Sequence, residues 1–100
     1  MIHEVRTKKQ YFELAISGAK PFSVRFADRP YNVGDILRKV EIEEIYVGDP
    51  KAQFINPFDI KRTPTGRTAD FRITYVLKRV PGIESGYCVL GLEPVNRSES

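Results

Sequence analysis

The chain has 100 residues, 41% of them hydrophobic and 29% charged, which suffices for one soluble domain and is too little for two. Its net charge of +3 permits a polyanionic partner without demanding one. Cys88 is the one cysteine, which excludes an internal disulfide and points to a reducing, cytoplasmic setting. With a single histidine beside it, a tetrahedral zinc site would need carboxylates or a second subunit, so no metal or cofactor is expected. No apolar run approaches the length of a membrane span, and none is expected.

In chain order, residues 2–5 read as a short strand. Thr7 is placed to N-cap a helix, with Gln10 three residues on completing a capping box. Tyr11, Phe12, Leu14, Ala15 and Ile16 supply its apolar face, and Phe12 and Ile16 are expected to cover an open end of the core. Gly18 ends the helix as a residue able to take the left-handed conformation. Pro21 prevents a return to helix and biases Lys20 toward extended backbone. The strand over 22–26 alternates. Phe22, Val24 and Phe26 share one parity and are assigned to the core, while Ser23 and Arg25 share the other. That polar pair either lines a groove or forms a solvated outer face.

Asp28, Pro30 and Asn32 mark a turn over 27–32, and Val33-Gly34-Asp35 feeds a longer strand from 36 to about 47. In it Val40 and Ile42 alternate with Glu41 and Glu43 until Glu44 shifts the phase, which predicts a β-bulge there. Residues 48–69 show no clean period and read as a long loop containing Phe54, Ile55, Phe58 and Ile60. A strand over 70–78 places Phe71, Ile73, Tyr75 and Leu77 on one face, and all four are assigned to the core. After a turn at Val80-Pro81-Gly82, a final strand over 87–93 holds Cys88 as a small buried hydrophobe. The chain is thus one domain over 1–95 with a frayed tail over 96–100.

Charge is unevenly placed. Glu41, Glu43, Glu44 and Asp49 form an acidic block, and Lys61, Arg62, Arg67, Arg72, Lys78 and Arg79 a basic one. They make either one positive face or opposite charges paired across neighbouring strands.

The order helix, Gly18-Ala19-Lys20, Phe22-Ser23-Val24-Arg25, loop, then Val33-Gly34-Asp35-Ile36-Leu37 resembles the small ASCH-like domains of the PUA superfamily. Met1 to Val5 and Gly86 to Leu92 are similar to the first and last strands of that group. The resemblance implies an α+β fold, a small, partly open PUA-like β-barrel of about five to six strands with one N-terminal helix. It also implies that the groove between the helix and the neighbouring strands holds RNA, another nucleic acid or a modified nucleobase. Lys20, Ser23, Arg25, Asp28, Arg29 and Tyr31 would line it. Arginine suits planar recognition of phosphate or a base edge, and Tyr31 would either stack on a base or plug the end of the barrel. Arg25, Asp28, Arg29 and Asp35 could equally form ion pairs that hold the loop.

ASCH relatives that hydrolyse the acetyl amide of N4-acetylcytidine carry a lysine and, three residues later, a threonine. Lys20 and Ser23 stand at these positions, implying base and nucleophile. The third catalytic residue of those enzymes is a glutamate on a helical insertion. Here the corresponding stretch, 81–86, is short and Glu84 is its sole carboxylate. The basic run with Lys61, Arg62 and Arg67 could track a nucleic-acid backbone. His3 reads as structural. Three functions are therefore expected in order: nucleic-acid or modified-nucleobase binding, an amidohydrolase of acylated cytidine, and a protein-interaction module acting through Phe54 and Phe58.

Overall fold

A computed structural model describes residues 1–95; the tail expected over 96–100 lies outside them. The elements run β1 (Ile2–Lys8), α1 (Lys9–Ile16), β2 (Phe22–Phe26), β3 (Ile36–Tyr46), a 3-10 turn (Pro57–Asp59), β4 (Ile60–Leu77) and β5 (Tyr87–Pro94). They build one open, mixed five-stranded sheet in the order β1-β3-β4-β5-β2, an α+β arrangement. β1 pairs parallel with β3, and the remaining pairs are antiparallel. β1 and β2 are the two edges.

The core lies on one face of this sheet. Val5, Leu37, Phe71, Ile73, Cys88, Leu90 and Leu92 are buried there with Tyr31 and the helical Ala15. Cys88 is fully buried, as its apolar neighbours predict. Gly18 follows α1 at φ 82, and its N–H donates to the Ala15 carbonyl at 3.2 Å, ending the helix as expected. The buried helix positions are Phe12 and Ala15, three residues apart; Ile16 is exposed.

Several expectations are corrected. β1 is longer than residues 2–5 because its pairing with β3 extends to Lys8↔Ile42. Thr7 therefore belongs to the strand and caps nothing; the N-cap is Lys8, with no side-chain cap bond. In β2 the assigned faces are inverted. Phe22, Val24 and Phe26 are exposed, whereas Ser23 is buried. The neighbour decides this: Ser23 lies opposite the buried Leu90 and Arg25 opposite the buried Cys88. A period-two strand shows only which residues share a face, and the partner strand decides which face turns inward. On the outer surface Phe26 stacks on Tyr87 at 4.4 Å.

β4 carries two irregularities that the sequence did not reveal. Thr74 is an extra residue between the pairs Ile73↔Leu92 and Tyr75↔Gly91. Phe71 and Ile73 are accordingly buried while Tyr75 and Leu77 turn outward, although all four share one parity in sequence. The second irregularity sits where Glu41 alone faces Thr65, Gly66 and Arg67, between Val40↔Thr68 and Ile42↔Pro64. Gly66 takes φ 96 in that bulge. The bulge expected at Glu44 is therefore at Glu41, and its extra residues belong to β4. Finally, 48–69 is not one loop. Residues 60–69 are strand, paired with β3 as far as Tyr46↔Ile60, which leaves a shorter irregular tip with Phe54, Ile55 and Phe58 exposed.

Candidate functional site

The two sheet edges come together around one cavity of about 250 Å³, lined from β1, α1, the loop after it, β2 and β3. Arg6 and Thr7 come from β1, Lys20 from the loop, Ser23 and Arg25 from β2, and Lys39 from β3. The edge pairing explains how these residues meet. Val5↔Lys39 and Thr7↔Glu41 put Lys39 and Thr7 on the inner face, and Ser23↔Leu90 puts Ser23 there from the other edge. Lys39, Ser23 and Thr7 are only 4%, 4% and 6% exposed and form the floor. Arg6 is exposed and Lys20 and Arg25 are half-buried, which places them at the rim.

The cavity is strongly cationic. Among the described residues none of its lining side chains is acidic, and Lys20, Arg25 and Lys39 form no ion pair. Lys39 is pushed down to about 8, first by burial and then by the charges of Lys20 and Arg25. The Thr7 hydroxyl is buried without a hydrogen-bond partner among the described residues. Lys20 Nζ lies 5.0 Å from the centre of the Tyr11 ring and 5.6 Å from that of Phe22, so two exposed aromatic rings flank the rim. A buried ammonium without a carboxylate and a hydroxyl without a partner both favour an anion.

Three of the residues singled out in the sequence, Lys20, Ser23 and Arg25, converge here. The others lie elsewhere. Asp28 pairs weakly with Arg29 at 3.8 Å, and the Arg29 guanidinium lies 5.7 Å over the Tyr31 ring. Tyr31 is buried in the core against His3, 4.8 Å between ring centres. His3 is buried and bonded through Nε2 to Asp35 at 2.8 Å. That bond is the largest cause holding the Asp35 carboxyl below its ordinary value. Glu84 lines a different cavity with Lys78 and Arg79. Along β4, Arg62 lies 3.7 Å from Glu44. Arg67 bonds Glu13 at 2.7 Å, lies 3.5 Å from Glu41 and sits over the Phe12 ring. Lys61 pairs in register with Ile45. For Arg62 and Arg67, opposite charges across neighbouring elements are thus what the uneven charge pattern builds.

Lys39 was missed. The signal was available in the parity Leu37, Lys39, Glu41, but a lysine and a glutamate in an alternating strand read as the solvent side. Residues 2–92 match the family model described as a domain of unknown function, DUF3850. The chain belongs to the DUF3850 family. A search of curated proteins finds no match. Among the described residues no helix of this DUF3850 domain is long and apolar enough to cross a membrane.

Proposed function

We propose that this domain binds single-stranded nucleic acid, RNA in the first instance, in the cleft between β1 and β2. The observation that carries this is the set of cations at the cleft, Arg6, Lys20, Arg25 and Lys39 together with Lys8, which Glu44 holds at 3.4 Å, with no carboxylate in the lining among the described residues. Phosphate oxygens supply the missing counter-charge, and the exposed Tyr11 and Phe22 rings beside Lys20 offer faces on which bases stack. The resemblance to ASCH-like domains of the PUA superfamily, which hold RNA or a modified base beside the helix, supports the same reading.

Fluorescence anisotropy with short labelled RNA and DNA strands tests it. Affinity should fall with salt at a log–log slope of about −0.7 for each phosphate neutralised. Lys20→Ala and Arg25→Ala should each weaken binding and flatten that slope. Absence of binding to mixed RNA and DNA strands at low salt would overturn the proposal.

A further inference from the structure

We infer that the floor of the cleft is a subsite for a terminal phosphomonoester, the phosphorylated end of a nucleic-acid strand or of a nucleotide. The inference rests on the nucleic-acid reading and specifies which phosphate enters. Lys39, Thr7 and Ser23 are the floor, each more than nine-tenths buried, and a ligand reaches them only by projecting a group inward. An internal phosphodiester carries sugars on both sides and must lie along a groove. A monoester is attached through one oxygen and presents three free acceptors to a closed end.

Size and charge agree. A volume of about 250 Å³ falls just short of the roughly 300–1,000 Å³ typical of whole drug-sized ligands, so it suits one group of a larger molecule. A phosphomonoester carries about −1.5 to −2 at neutral pH, against a single charge on a diester. Five cations line the cavity, of which Lys8 alone is paired with a carboxylate from outside it, Glu44, and none of the lining side chains among the described residues is acidic, which matches the larger charge better. Thr7 Oγ1 and Ser23 Oγ supply hydroxyl donors, and Thr7 Oγ1 has no other partner among the described residues. The mutual repulsion of Lys39, Lys20 and Arg25, part of what pushes Lys39 down to about 8, is relieved by an anion among them.

The test compares one short RNA sequence with a 5′-phosphate, a 3′-phosphate or hydroxyl ends, by anisotropy at fixed salt. A phosphorylated end should bind about tenfold more tightly, the scale of one or two added charge-assisted hydrogen bonds. Lys39→Met and Thr7→Val should each weaken the phosphorylated strand more than the hydroxyl-ended one and so narrow that preference. A nucleoside monophosphate should compete better than ribose 5-phosphate, and both better than inorganic phosphate. Equal affinity for both kinds of end, with normal salt dependence, overturns the subsite and leaves the nucleic-acid reading standing. Competition by inorganic phosphate equal to that of the nucleotide overturns the assignment to nucleic-acid ends. Binding of the mononucleotide by a protein that binds neither RNA nor DNA strands overturns the nucleic-acid reading and leaves the subsite standing.

Discussion

The Tyr75 ring lies across Gly91 of the neighbouring strand, in the space a β-carbon there would occupy. Gly91 is buried, and the bulge at Thr74 is what turns Tyr75 outward over it. Gly91→Ala should cost about 1–3 kcal/mol through overpacking. In a Tyr75→Ala background the same change should cost much less. A double-mutant cycle by urea unfolding measures the coupling, and additive effects would show that the ring is not the obstacle.

Lys39 couples the cleft to stability. Its folded value of about 8 lies below the ordinary 10.5. Between these values the unfolded chain binds more protons than the folded one, so this group makes stability rise with pH. Below pH 8 both states are protonated and the full cost of burying the charge, about 3 kcal/mol, is present. Lys39→Met should therefore be the more stable protein at pH 7, with the gap closing as pH rises from 8 to 10.5. Paired denaturation curves across that window check it; a constant gap would contradict it.

The amidohydrolase alternative makes its own prediction. Lys20 and Ser23 share the cleft, but Glu84 lines a separate cavity. Among the described residues no lining side chain is a carboxylate, so none stands in for the third catalytic residue of the related enzymes. Incubation with N4-acetylcytidine should release no acetate, and Ser23→Ala should make no difference. Acetate release that depends on Ser23 would establish the enzyme reading instead.

The basic residues of β4 separate a cleft binder from a backbone tracker. Arg62 is matched by Glu44, and Arg67 by Glu13 and Glu41. Replacing Lys61 and Arg62 by alanine should leave the salt slope of RNA binding unchanged, whereas Lys20→Ala and Arg25→Ala flatten it. A slope that responds to the β4 pair would move the interface to the hairpin.

Local chemistry alone determined much of this molecule. Gly18 ends the helix because its backbone tolerates a left-handed turn, and Cys88 is buried as a small apolar side chain between apolar neighbours in a strand. Lys20, Ser23 and Arg25 were legible as one group because they are close in sequence and share a loop and a strand. Tertiary structure decided the rest. Phe22 and Ser23 exchange their expected faces because β5 dictates the inner side of β2, and Tyr75 leaves the core because Thr74 is one residue too many for its partner strand. Lys39 enters the cleft only because β1 and β2, distant in sheet order, meet as opposite edges. Periodicity reports which side chains travel together along a strand; which side is inside, where the phase slips and which edges meet depend on hydrogen bonds to strands far away in the chain.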